Sequence, residues 1–167
     1  IAYGWGYIDL GKAWTCKDDT LLGGISPAPD FQLYEGGWDA GDSATLVWNR
    51  QVAYNNEITP TTVYALNNLD LYVYSQDDNA LLGSDTGAID NVHVVTSTAN
   101  PLSAVIKVDA ASAPFHGAAA ETFALATSES FTAASGPALT IEAPAYSQRC
   151  PGDVWPVSVT VTNTGGL

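Results

Sequence analysis

The sequence predicts an all-β protein: a jelly-roll β-sandwich with one short N-terminal helix and the start of a second, Ig-like β module. Three observations predict it. Apolar residues recur with a period of two almost throughout, as in strands with one dry and one wet face. Clusters of turn-forming residues separate these runs at short intervals. The 167 residues include 15 Gly and 9 Pro but no Met, a composition that suits strands joined by tight turns and makes poor helices.

The alternation places residues in order along the chain. Ala44, Leu46 and Trp48 share one face, with Thr45, Val47 and Asn49 on the other. Leu69, Leu71 and Val73 oppose Asp70, Tyr72 and Tyr74, and Ala104, Ile106 and Val108 oppose Lys107 and Asp109. Phe123 and Leu125 repeat the pattern, as do Val157, Val159 and Val161. Gly36-Gly37, Asp77-Asp78-Asn79, Gly83-Ser84-Asp85, Asn100-Pro101 and Phe115-His116-Gly117 mark the turns between them. Seven or eight short strands of this kind require two sheets packed face to face, because each must bury one side.

The opening departs from this period. Ile8 with Lys12, and Leu10 with Trp14, fit helical spacing as pairs four apart, with Asp9 in the first turn and Lys12 later, as the helix dipole favours. A helix of about two turns within residues 1–14 is expected to precede a sandwich over 15–128. Residues 129–137 are small and polar and read as a linker, and 138–167 read as the first strands of the second module. The alternating run at Val157–Thr162 leads into Asn163-Thr-Gly-Gly, a turn with no strand after it, so a piece of a longer chain is expected.

The formal net charge is −13, from 18 carboxylates against 5 Lys and Arg. That excludes nucleic acid and anionic lipid as natural partners, since phosphate binding needs clustered basic residues. No apolar run approaches the roughly 20 residues of a spanning helix, so no membrane is expected either. An acidic surface suits an extracellular or cell-surface setting, or calcium. Cys16 and Cys150 are too few for a metal site of their own. Outside the cell they either stay as thiols or pair, closing a loop of roughly 130 residues for about 4–5 kcal/mol of chain-entropy stabilisation.

Gly4-Trp-Gly-Tyr-Ile-Asp-Leu-Gly-Lys-Ala13 resembles the Gly-x-Gly and helix that end the catalytic domain of subtilisin-like serine proteases. Ala44-Thr-Leu-Val-Trp48, Asn67-Asn-Leu-Asp-Leu-Tyr72, Asp90-Asn-Val92 and Thr122-Phe-Ala-Leu-Ala126 resemble, in order and spacing, the P-domain-like jelly roll that follows in secreted members. The resemblance covers about residues 1–128 and makes 1–14 the closing helix of a catalytic domain lying in cis. It implies no catalysis by this chain, which has no Met and no Gly-Thr-Ser-Met-Ala-like nucleophile segment. His93, within a strand, and His116, in a turn, read as structural and solvated residues rather than as bases.

Some members of that family hold calcium near the matching segments. Asn67, Asn68, Asp70, Asp85, Asp90 and Asn91 are the densest oxygen-bearing set here, and Asn68, Asp70, Asp85 and Asp90 are the expected calcium ligands. Asn68 stands where the family often has Asp, and His93 where it often has Glu. The expected function is a non-catalytic accessory domain that stabilises the protease or positions its substrate. Two other classes stay open. One is a structural protein of a cell surface or filament, self-associating through a sheet edge. The other is a carbohydrate-binding module built on Tyr34, Trp38, Trp48, Tyr54, Tyr64, Tyr72 and Tyr74, of which Tyr72 and Tyr74 share a face.

Overall fold

The computed structural model describes residues 10–55, 60–112, 114–134, 139–142 and 160–163. The chain forms two units, Ile1–Ala133 and Ala134–Leu167. In the first, α1 (Leu10–Thr15) precedes β1 (Thr20–Ile25), β2 (Phe31–Trp38), β3 (Ser43–Trp48), β4 (Val52–Tyr54) and β5 (Pro60–Val63). There follow β6 (Leu69–Ser75), β7 (Leu81–Asp85), β8 (Val92–Thr96), β9 (Leu102–Ala110), β10 (Glu121–Thr127) and β11 (Phe131–Ala133). In the second unit β12 (Leu139–Glu142) pairs antiparallel with β13 (Thr160–Asn163). Among the described residues no helix is long and apolar enough to cross a membrane.

The pairing follows one rule. β1 pairs with β10, β2 with β9, β3 with β8 and β6 with β7, all antiparallel. The chain is thus a long hairpin whose tip is β6–β7, rolled up so that successive strand pairs fall into alternate sheets, which is the jelly-roll arrangement. The result is a four-stranded sheet ordered β1-β10-β3-β8 and a five-stranded sheet ordered β11-β2-β9-β6-β7. β4 and β5 form a separate small hairpin between the third and fourth of these pairs' first strands. The tip is the turn expected at Asp77-Asp78-Asn79, where Asn79 takes a left-handed φ of 57° and the Ala80 amide donates to Asp78 Oδ1 at 3.1 Å.

Alternation decides which side of each strand is dry. Leu46, Leu69, Leu71, Ile106, Val108 and Leu125 are fully buried between the sheets, each on the face its period predicts. Trp38 closes one region of the core edge-to-face on Phe131, with ring centroids 6.4 Å apart. That contact corrects the reading of 129–137 as linker at residues 131–133, while 135–137 lie outside the described residues. Phe131–Ala133 is a strand on β2, pairing Phe131 with Gly36, and a Cβ at Gly36 would meet the Ser130 carbonyl at 2.5 Å. Small polar composition hid one buried ring and the glycine that receives it.

On the outward side of the four-stranded sheet, register sets Leu22, Ala124, Val47 and Val92 in one row across all four strands. Thr20, Ala126, Thr45 and Val94 form the next row, flanked by Gly24 with Thr122 and by Ser43 with Thr96. Replacing Leu71 by Ala is expected to cost about 2–5 kcal/mol in urea unfolding, because a buried side chain is lost and a cavity remains. The same measurement on Thr122→Ala, exposed on β10, is expected to move by less than about 0.5 kcal/mol.

Candidate functional site

The outward face of the five-stranded sheet gathers the chemistry that the sequence separates. Cross-strand register sets Phe31, Asp109 and Asp70 in one row, and Leu33, Lys107, Tyr72 and Ser84 in the next. Glu35, Val105 and Tyr74 follow. Tyr72 and Tyr74 are half-buried and stacked, with centroids 6.2 Å apart and planes 21° from parallel. The Lys107 ammonium lies 5.1 Å from the Phe31 centroid and 5.7 Å from that of Tyr72. Asp109 Oδ1 meets it at 3.0 Å. A cation held between two rings and a carboxylate is already partly desolvated and fixed in place, so this surface is preorganised rather than fluid.

Asp70 is buried in the end row of this face. Its Oδ2 accepts from the Tyr72 hydroxyl at 3.2 Å and its Oδ1 from Asn68 Nδ2 at 3.3 Å. Desolvation raises its carboxyl above the ordinary carboxylate value, and the neighbouring Asp109 charge adds to that, while the Tyr72 and Asn68 hydrogen bonds oppose. Tyr72 is raised too, first by burial and then by the Asp70 charge, so it stays a proton donor.

Asp85 faces the other way. It pairs with Leu71, whose side chain is in the core, and so points inward from the edge strand β7. There its Oδ1 lies 2.9 Å from His93 Nδ1 on β8 of the opposite sheet. Its Oδ2 accepts from the Val94 amide at 3.1 Å. Desolvation is the largest single influence on Asp85 and acts upward, yet the Val94 amide and the His93 charge together hold its carboxyl below the usual range. His93 is 1% exposed, its ring centroid is 5.0 Å from that of Trp48, and its Nε2 has no partner among the described residues.

The structure therefore does not bring together the four expected calcium ligands. Asn68 and Asp70 lie on the outward face, Asp85 on the inward side, and Asp90 in the exposed connection before β8. Among the described residues no three His, Cys, Asp or Glu side chains converge as a metal centre. Asn91 binds protein instead, its Nδ2 donating to the Trp48 carbonyl at 2.7 Å. Cys16 is half-buried without a disulfide partner among the described residues, and Cys150 lies outside them.

The aromatic set also divides. Tyr34, Trp38 and Trp48 are core residues, Tyr64 packs on Gly117, and Tyr54 is exposed on β4. Gly117 is required there, with φ of 77° and the Tyr64 ring 2.5 Å from where a Cβ would sit. Only Tyr72 and Tyr74 form a pair on the outward face. His116 is exposed, as expected for its turn, and uses its backbone: its amide donates to Asn67 Oδ1 at 2.5 Å.

One constellation escapes sequence reasoning. Glu121 is fully buried, and its carboxyl oxygens accept from Asn67 Nδ2 at 2.7 Å and Gln51 Nε2 at 3.0 Å. The available signal was parity, since Glu121 falls on the same side of β10 as the buried Phe123 and Leu125.

No family model matches the chain, and no curated protein does. Among solved structures, one similar to it is PliG of Aeromonas hydrophila, a periplasmic inhibitor of g-type lysozyme, at 15% identity. The match covers 68% of this chain and 84% of that one, with a TM-score of 0.37, a likeness that carries no inference about function.

Two carboxylates with opposite shifts give opposite pH signatures. The stabilisation from Asp85 is present above the unfolded value of about 3.9 and is lost as pH falls through its depressed folded value. Asp85→Asn is expected to lower stability at pH 7 by roughly 1–2 kcal/mol, screened because the group is a third exposed, with the difference shrinking below about pH 3. Asp70 contributes fully below about 3.9 and loses that contribution as pH rises through its raised folded value. Asp70→Asn is therefore expected to raise the thermal midpoint at pH 7 and leave it unchanged near about pH 3. Melting curves of both variants across this range check the signs.

Proposed function

We propose that this chain is a non-catalytic accessory domain of an extracellular subtilisin-like serine protease. α1 packs against the catalytic domain in cis, and the outward face of the five-stranded sheet positions substrate. The observation that carries the reading is the exposure of Leu10 and Trp14, at 77% and 73%. They are four residues apart on one side of a six-residue helix, too short to be stable in water unaided. The described part of the sandwich does not cover them. A partner that did would gain about 1.5–3 kcal/mol for each large side chain buried. The resemblance of the preceding segment to the end of a subtilase catalytic domain says what kind of partner that is.

In the parent polypeptide, Leu10→Ser with Trp14→Ser is expected to lower the thermal midpoint of the catalytic domain by about 6–12 °C, the effect of roughly 3 kcal/mol, the lower end for two such side chains, on a mid-sized domain. The melting of the sandwich is expected to stay in place. Equal inactivation rates for variant and parent would overturn the docking role. A coding sequence upstream of Ile1 that specifies no Ser-His-Asp domain would overturn the whole reading.

The stacked Tyr72–Tyr74 pair favours a second reading, a carbohydrate-binding module. Insoluble glycans should then retain the chain and release the Tyr72→Ala, Tyr74→Ala double variant. No retention on any glycan leaves the surface to polypeptide.

A further inference from the structure

The outward face of the four-stranded sheet lies opposite the Tyr72 surface and takes no part in the reading above. It occupies twelve strand positions, from Thr20 on β1 to Thr96 on β8, and none carries an ionisable side chain. The other outward face holds Glu35, Asp70, Lys107 and Asp109. For a chain of net charge −13, a whole sheet face without one carboxylate departs strongly from the rest of the surface.

We propose that this face takes a second copy of the chain, forming a two-fold dimer by sheet-on-sheet packing. Three features select that occupant. Charge comes first: two copies at −13 repel through every acidic surface, and this face is where they approach without opposing carboxylates. Shape comes second. Leu22 projects at 85% exposure from the wall of a hollow of about 360 Å³ that Val47, Asn49, Thr122 and Ala124 also line. A knob and a hollow on one face satisfy the self-complementarity that a two-fold interface demands. Third, the β8 edge is blunted against strand addition, because the inward-pointing Asp85 holds the Val94 amide on that edge with its Oδ2. The face carries no such guard.

Size sets the strength. Four strands about 4.8 Å apart and five to seven residues long present a patch of roughly 300–400 Å² in projection. That is below the about 800 Å² per partner of a stable complex, so the dimer is weak, with a Kd of about 10 µM or above.

Sedimentation velocity of the full 167-residue chain, from about 10 µM to about 1 mM, tests it. The expected result is reversible dimerisation that strengthens with salt as the −13 charges are screened. Val47→Lys and Ala124→Lys, both at outward positions, are expected to weaken it at least about tenfold while keeping the parent's melting temperature. Trp14→Ser and Tyr74→Ala are expected to leave it unchanged, which separates this interface from the helix and the tyrosine surface. A chain that stays monomeric at about 1 mM overturns the proposal. So does a dimer that survives Val47→Lys, since pairing along the β1 edge or through α1 leaves Val47 uncovered.

Discussion

Trp48 ties one end of the sandwich together, and the rest of that end depends on it. Its indole N–H donates to the Asn67 carbonyl at 2.7 Å. Its backbone carbonyl and amide both engage Asn91, and its ring lies against His93. A buried indole without an acceptor would leave a desolvated donor, at a cost of about 1–3 kcal/mol. The segment before β6 is thus held by a hydrogen bond that the core cannot do without. From Asn67 the network continues to Glu121, Gln51 and the His116 turn. From His93 it continues to Asp85 and the Val94 amide. One end of the fold consequently has a polar core, with Asn67, His93 and Glu121 buried.

This division separates stability from recognition. Asp85 and His93 join the edges of the two sheets, so their chemistry is spent on closing the sandwich. Asp70, one position before the Leu71 that pairs with Asp85, belongs to the outward face and is held by Tyr72 and Asn68. The surfaces left free are of three kinds: an exposed apolar helix face, an aromatic and charged sheet face, and an uncharged sheet face. Each suits a different contact, because apolar helices need cover, fixed rings and carboxylates select ligands, and uncharged β faces tolerate a second acidic copy.

Much of the fold was legible. The alternation around Ala44–Trp48, Leu69–Val73 and Ala104–Val108 assigned inward and outward residues correctly, since a period of two leaves one dry side whatever the partner strand is. A helix is described over Leu10–Thr15, and the rest of the helix expected within residues 1–14 lies outside the described residues. The site was legible only in part. Tyr72 and Tyr74 share a face by parity alone, but Lys107 and Phe31 come from strands β9 and β2, and no local pattern announces that they meet.

By itself, the sequence determined that the protein is a β-sandwich, which side of each strand is buried, and that the surface is acidic. These are local properties, set by residue type and by the two-residue repeat of the extended backbone. Tertiary structure alone decided that Asp70 and Asp85 point to opposite faces, that Phe131 belongs to the core, and that Glu121 is satisfied by Asn67 and Gln51. It also decided that the uncharged positions of four strands form one continuous face. The physical reason is register: residues dozens of positions apart become neighbours only when the rolled hairpin pairs its strands, and that pairing is a property of the whole chain.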